Sequence, residues 1–344
     1  MIGPVDARAA ESLLELAERA GPGLQGLDRK ALLEQLEERY DDLLAAMRWF
    51  LDEERTDEAI RLARSLAGFW MATRRLDEGC EWFGRALGSP GGDDVNRGRG
   101  CFEAGLLAFW RGADDDAAAL LGQAVQIGRR IGDPTVTALA LTGLARIALR
   151  TDVAEARRLC QEALAVTEGT AEPLGRSNAV HVLGVAAQMA GDLEEARDLM
   201  YERMALAREL GSYAGVASEA GNLSMVERQL GNLERADALA REALEIARQR
   251  EDEWLFPYVL NGLAAVAAER GELERAATLV GAAEAMMEAQ GAAWPPDERP
   301  HYERTVAQLT DALGQLEFER VRAAGQSLAS REAVDFALAA GSAC

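Results

Sequence analysis

The sequence predicts an all-α fold, a solenoid of stacked helix pairs, and three observations carry that prediction. The first is a phrase, G-x-L-x-x-A, that recurs along the chain. It reads Gly191-Asp192-Leu193-Glu194-Glu195-Ala196, then Gly231-Asn232-Leu233-Glu234-Arg235-Ala236, then Gly271-Glu272-Leu273-Glu274-Arg275-Ala276. Looser copies start at Arg74, Gly112 and Thr151, so successive starts lie 38, 39, 40, 40 and 40 residues apart. A period of that length belongs to units that cannot bury an apolar face alone and must stack on their neighbours. The second is composition: 49% hydrophobic residues, weighted to Ala and Leu, with only 6% aromatic, as suits closely packed helices. The third is a register of small residues. Twelve positions before the final Ala of a phrase stand Gly105, Gly184, Ser224 and Ala264, with Gly143 one residue off. Seven positions after it stand Ala86, Ala124, Ala163, Ala243 and Ala283, broken by Arg203. A larger Cβ substituent at these places would hold the helices apart.

Taken in order, the elements are these. Residues 1–56 form an N-terminal cap, with amphipathic helices over 7–20 and 28–52 parted by Gly21-Pro22-Gly23. The second of these ends in Met47-Arg48-Trp49-Phe50-Leu51, an apolar edge suited to docking on the first pair. Six helix pairs fill 57–290. Their A helices are expected over 58–73, 96–111, 135–149, 175–190, 214–229 and 254–269. Their B helices are expected over 76–88, 114–131, 153–168, 193–210, 233–250 and 273–290. Asp133-Pro134 and Glu172-Pro173 mark helix starts, and Gly88-Ser89-Pro90-Gly91-Gly92-Asp93-Asp94 is the longest break. A C-terminal cap covers 291–344, with two or three helices over 298–340 and Ser330 as the expected N-cap of the last.

The small-residue positions are those of a tetratricopeptide repeat (TPR), which the chain resembles on a period longer than the usual one. Leu76-Asp77-Glu78-Gly79-Cys80-Glu81-Trp82-Phe83-Gly84-Arg85-Ala86-Leu87 resembles the first repeat of the C-terminal TPR sensor arms of actinobacterial regulators. Those regulators are the ATP-binding LuxR-like and SARP-type proteins of the STAND class. Ala282-Ala283-Glu284-Ala285, Trp294-Pro295-Pro296, Tyr302-Glu303-Arg304 and Ser330-Arg331-Glu332-Ala333-Val334 are similar to the ends of such proteins. The resemblance implies a sensing or docking arm, and related arms take effectors such as sugars. The P-loop ATPase core and the DNA-binding helix-turn-helix of full-length members are not in this sequence.

Charge and motifs narrow the functions. Thirty-seven basic against 58 acidic residues leave a net charge of −21. No basic run replaces the counterions of a nucleic acid or an anionic membrane, so neither is an expected partner. Cys80, Cys101, Cys160 and Cys344 lack C-x-x-C spacing and read as reduced thiols. With no apolar h-region near Met1 and no membrane-length apolar run, the expected location is the cytoplasm. Lys30, the sole lysine, follows Arg29, which rules out a Walker A loop. His181 and His301 are the two histidines and neither has zinc-ligand spacing, so no metal or cofactor is expected. Gly175-Arg176-Ser177-Asn178-Ala179 imitates a nucleophile elbow without its last Gly. It opens a helix A rather than following a strand, so Ser177 is expected to cap that helix or lie on its surface. Asp114-Asp115-Asp116 and Glu194-Glu195 fall at helix N-termini, where carboxylates offset the helix dipole.

In a TPR register the A helices line a concave groove. Arg61, Arg64, Arg99, Phe102, Trp110, Asn178, His181, Gln188, Arg228, Tyr258 and Asn261 fall on its positions, with Asn222 one residue away. Asn and Gln pair with the backbone of an extended peptide, Arg with carboxylates or phosphates, and aromatic rings supply an apolar anchor. The leading reading is a non-enzymatic module that docks a protein or peptide, or senses an effector, as the arm of a bacterial regulator. The alternative is a small-molecule sensor or carrier with its pocket near Trp110, His181 and Asn261. A third reading, an enzyme of secondary metabolism on this scaffold, rests on His181 with Gln188 and Asn178. Homo-oligomerisation through edge helices is compatible with all three.

Overall fold

The computed structural model describes residues 6–170, 173–292, 294 and 298–339. These form eighteen helices and, among the described residues, no strand. The N-terminal part holds α1 (Ala7–Gly23), α2 (Arg29–Glu38) and α3 (Tyr40–Asp52). The A helices are α4 (Thr56–Ala72), α6 (Asp94–Arg111), α8 (Pro134–Ala148), α10 (Pro173–Ala190), α12 (Tyr213–Gln229) and α14 (Phe256–Glu269). The B helices are α5 (Leu76–Gly88), α7 (Asp114–Ile131), α9 (Val153–Thr167), α11 (Leu193–Glu209), α13 (Leu233–Gln249) and α15 (Leu273–Ala289). The chain ends in α16 (Arg299–Leu313), α17 (Gln315–Gln326) and α18 (Ser330–Ala339). The fold class is all-α, built of repeating helix pairs as the spacing predicts. Met1–Val5, Glu172, Pro295, Pro296 and Cys344, which enter the sequence reading, lie outside the described residues.

The recurring phrase has a plain structural meaning. Its Gly ends helix A: Gly191, Gly231 and Gly271 have φ of 85°, 82° and 79°, the left-handed region that suits glycine. The amide of Asn232 then reaches back to the carbonyl of Glu227 at 2.8 Å, closing the helix end. The Leu opens helix B, and the Ala one turn later is buried, with Ala117, Ala156, Ala196, Ala236 and Ala276 all at 0% exposure. In the first copy Gly79 takes that place because the Trp70 ring lies 2.9 Å from where a Cβ would sit. The small residues of the A helices also make room. A Cβ on Gly105 or Gly143 would meet the Leu121 side chain at 2.7 or 2.6 Å, and Ser224 Oγ donates to the carbonyl of Ala236.

The chain divides after Ala186 into two compact units, so the boundary falls inside α10 and cuts across the grouping by repeats. In the first unit α1 packs on α3 and α4, and the pairs α4–α5, α6–α7 and α8–α9 follow in series. Trp70, fully buried, donates from Nε1 to the Tyr40 hydroxyl at 2.8 Å and meets Phe83 edge-on. Two expectations are corrected here. Gly21-Pro22-Gly23 does not end the first helix. It forms the last turn of α1, where Gly21 passes so close to α4 that a Cβ would lie 2.8 Å from the carbonyl oxygen of Ser65. The helix expected over 28–52 is two helices, broken at Arg39.

In the second unit α12–α13 and α14–α15 repeat the pairing, and α17 packs intimately along α15. A Cβ on Gly281 would fall 2.0 Å from the carbonyl of Arg322, and one on Gly325 2.0 Å from that of Thr278, so the two backbones touch. Helix α18 lies against α13, α14 and α15. Arg241 donates to the carbonyls of Ala337 and Leu338, and Arg275 to that of Ala337, so two guanidinium groups hold its C-terminal end. Ser330 is the first helical residue of α18 rather than its cap. The preceding Ala329 amide donates to Glu332 Oε2 at 3.0 Å, half of a capping box.

Candidate functional site

The predicted site residues fall in both units. In the first, α4 carries Arg64 and α6 carries Arg99 and Phe102, all partly exposed. Arg61 on α4 is closed on Glu18 of α1 by two bonds of 2.8 and 2.9 Å. Arg64 is not closed. Its Nη1 reaches only Asn96 Oδ1 at 3.4 Å, while its Nε is sealed from solvent without a hydrogen-bond partner. Burial lowers its pKa, partly opposed by Glu103. Arg99 approaches Asp133, the residue before α8, at 3.9 Å. Glu103, beside Phe102, still reaches solvent in part, yet the protein packed around its carboxyl pushes its pKa up to about 7, with Arg64 pulling the other way.

Trp110 stands in the last turn of α6 with 52% of its surface exposed and its ring edge-on to Phe109 at 5.3 Å. Phe109 in turn lies under the guanidinium of Arg150. Trp70 and Trp82, by contrast, are buried anchors. On α10, Asn178 donates from Nδ2 to the carbonyl of Leu174 one turn back, and His181 sits partly exposed in mid-helix. Ser177 is neither a cap nor a surface residue. It lies in the second turn of α10 at 1% exposure, its Oγ without a hydrogen-bond partner, because the helix begins at Pro173 and turns that face inward.

In the second unit, Gln188 on the last turn of α10 and Asn222 on α12 are partly exposed. Arg228 is engaged within its own unit. It pairs with Glu269 of α14 at 2.5 Å and lies 3.2 Å from His301 Nδ1 of α16. Burial, with Arg228 and Arg304 close by, lowers the His301 pKa to about 4, so this imidazole is neutral and accepts from the arginines. Tyr258 belongs to a run of rings: Trp254 at 6.0 Å, Trp294 at 6.0 Å, and Tyr302 stacked on Trp294 at 5.0 Å. Asn261 is buried at 3% exposure, with Oδ1 lacking a partner.

Away from the A faces, a shallow depression of about 600 Å³ opens at the turn between α12 and α13. Arg235 donates to the Tyr201 hydroxyl at 2.8 Å, Tyr201 donates to Glu227 at 3.0 Å, and Asn232 donates to the other Glu227 oxygen. The carboxylate is therefore satisfied. Among the described residues no group of three His, Cys, Asp or Glu is placed to hold a metal, and no helix is long and apolar enough to cross a membrane.

Residues 148–317 match the model of the MalT-like TPR region. The fold is TPR-like. Solved structures agree on the fold. The Cut9–Hcn1 hetero-tetramer of the APC/C is 14% identical, with 80% of this chain and 48% of that chain covered at a TM-score of 0.58. A Rap protein complexed with competence and sporulation factor is 12% identical, with 92% and 99% covered at 0.54. A Mycobacterium bovis protein bearing the name of an HTH-type transcriptional regulator is 29% identical over 124 residues, 33% of this chain. The match spans 14% of that regulator's length. The chain thus resembles the TPR arms of regulators.

Several residues that shape the A faces escape a reading by register. Glu103 hides beside the more conspicuous Phe102, and Asn96, Glu269 and His301 become neighbours of the predicted arginines only through folding. Arg203 did signal itself by occupying a small-residue position. It is largely buried, with Nε and Nη1 lacking hydrogen-bond partners, and Glu219 at 0% exposure holds its charge. Gly215 makes the room, since a Cβ there would lie 2.9 Å from the Arg203 guanidinium.

Proposed function

We propose that this chain is a non-enzymatic docking module, the partner- or effector-sensing arm of a cytoplasmic bacterial regulator, and that it takes an extended protein segment on its helix A faces. The observation that carries this reading is Trp110: a large aromatic side chain, half exposed, on an A helix that also presents Arg99 and Phe102. A ring in that position can seat in a partner's apolar residues, while nearby cations and amides fix orientation. The fold likeness to a Rap protein complexed with a factor and to the Cut9–Hcn1 assembly supports a partner-binding role.

The test is selection of short peptides from a random display library on the full chain. Trp110→Ala should weaken the selected peptides by roughly thirtyfold, the scale of a hot spot of about 2 kcal/mol. Glu194→Arg on the exposed side of α11 should change affinity by less than about fivefold, since exposed charges contribute about 0–1 kcal/mol. Equal losses from both variants would remove the helix A face as the site. A second reading, a small-molecule effector in the second unit, is favoured by the orphaned Oδ1 of buried Asn261 beside Tyr258. Thermal stabilisation that scales with metabolite concentration and disappears in Asn261→Ala would establish it.

A further inference from the structure

Several aromatic rings of this chain are covered by its own arginines. The guanidinium carbon of Arg85 lies 4.3 Å from the Trp82 ring centre, that of Arg150 4.4 Å from Phe109, that of Arg75 4.5 Å from Tyr40 and that of Arg235 5.5 Å from Tyr201. A row of rings in the second unit is built differently. Trp254 stands in the turn before α14 with 37% of its surface exposed, and Tyr258 follows one turn later with its ring centre 6.0 Å away. Trp294 meets Tyr258 at 6.0 Å and 88°, and Tyr302 of α16 stacks on Trp294 at 5.0 Å and 20°. Trp294 and Tyr302 are partly exposed, and among the described residues no arginine lies over either ring.

The charge about the row is negative. Glu253 immediately precedes Trp254 and Glu303 follows Tyr302; both are exposed, and neither carboxylate makes a hydrogen bond or ion pair among the described residues. Tyr302 donates its hydroxyl to Glu284 at 2.5 Å. The neighbouring cations are mostly engaged: Arg250 pairs with Asp252 and Arg322 with Glu284, while Arg304 donates to the carbonyl of Pro300 and to His301. Arg299, exposed in the first turn of α16, is the remaining cation of these segments. Bare ring faces beside carboxylates are the chemistry that receives a cation. We propose that Trp254, Tyr258, Trp294 and Tyr302 form a receptor for an arginine side chain carried on a basic segment of a partner protein. The site uses other helices and other rings than the Trp110 face and goes beyond that reading.

Arginine suits this site better than lysine. Its guanidinium group is planar and less strongly hydrated than an ammonium group, so it can lie flat on a ring while its edge forks onto a carboxylate. The right angle between the Tyr258 and Trp294 rings offers two walls of a corner, and Glu253 and Glu303 place a carboxylate beside the first and last rings of the row. An ammonium group can sit over one ring but has no planar face to share between ring and carboxylate. The field of a chain of net charge −21 repels an acidic segment and draws a basic one in, an attraction that salt screens.

The experiment follows the indole Nε1–Hε1 resonances of the full chain, with two of them assigned by Trp254→Phe and Trp294→Phe. The probes are N-acetyl-Gly-Arg-Gly amide and the same tripeptide with either lysine or citrulline, the uncharged isostere of arginine, at its centre. The arginine peptide should shift both indoles and bind about fivefold more tightly than the lysine peptide. The citrulline peptide should leave both in place, and added salt should weaken arginine binding. Trp294→Leu should weaken the arginine peptide about tenfold, and Trp254→Leu, a change at an exposed ring, about threefold. Where Trp294→Leu broadens the melting transition, Trp254→Leu decides. Unmoved indoles, equal binding of the citrulline peptide, tighter binding of the lysine peptide, or unchanged affinity in Trp254→Leu overturns the receptor. If the arginine peptide leaves both indoles unmoved while library peptides still depend on Trp110, the docking reading stands and this receptor alone falls. If it shifts them while Trp110→Ala has no effect on library peptides, the receptor stands and the Trp110 reading falls.

Discussion

Arg64 and Glu103 show how two half-buried charges can stand next to each other without satisfying one another. Dehydration works against both charged forms, and only good geometry returns that free energy. The pKa of Glu103, raised to about 7 in the folded chain against about 4.3 unfolded, makes it a destabilising group at high pH. Between those values the folded state binds more protons than the unfolded state, so stability falls as pH rises through the interval. Below about pH 4 the penalty is absent, and above about pH 7 it is complete. Glu103→Gln should therefore stabilise the protein by about 2 kcal/mol at pH 8 and by little at pH 4, as read from urea unfolding. An equal effect at both pH values would show that the pKa of Glu103 does not rise on folding. Arg203 presents the converse case. Arg203→Leu should lower stability by roughly 2 kcal/mol, because Glu219 at 0% exposure loses a nearby positive charge. Unchanged urea unfolding would show that Glu219 is supported without it.

Among the elements, the closest approach is between α15 and α17, where Gly281 and Gly325 let two backbones meet. Either Gly→Ala change would put a methyl group 2.0 Å from a carbonyl oxygen, which only displacement of α17 can relieve. Overpacking of this kind costs about 1–3 kcal/mol, and Gly325→Ala should lower the melting temperature accordingly. An unchanged transition would mean that α17 is free to move off α15. The glycine is of modest helix propensity, so sequence alone reads it as a weakness. In the packed unit it is what permits the contact. The same holds for Gly21, whose neighbour Pro22 signals a break while the helix continues because α4 lies against it.

At the scale of the molecule, stacked units should tolerate loss of one unit better than loss of an end. Deleting residues 191–230 removes α11 and α12 together and should leave a folded, helical chain, since each unit contacts mainly its neighbours. Truncation after residue 297 should instead expose α15 where α17 covers it, and leave Arg241 and Arg275 without the carbonyls of α18. Aggregation and dye binding to exposed apolar surface are the expected readouts. A soluble, monomeric truncation would remove the capping role of α16–α18.

What repeats was legible in the sequence alone: the helix pairs to within two residues at either end, the left-handed glycine that ends four of the six A helices, and the small buried residue in the first turn of each B helix. These are local or nearest-neighbour requirements, imposed afresh on a period of about 40 residues, and a periodic constraint leaves a periodic trace. The sequence also put Trp110 on an exposed A-helix position, and Arg64 and Arg99 on partly exposed ones. The tertiary structure decided what does not repeat. It closed Arg228 on Glu269 and His301, buried Ser177 and Asn261, carried α1 through its Gly-Pro-Gly, and left Arg64 beside a carboxyl that fails to neutralise it. Whether a polar side chain is free, satisfied or stranded depends on partners distant in sequence, and for Arg228 and His301 they are 73 residues apart. No register within one repeat contains that information.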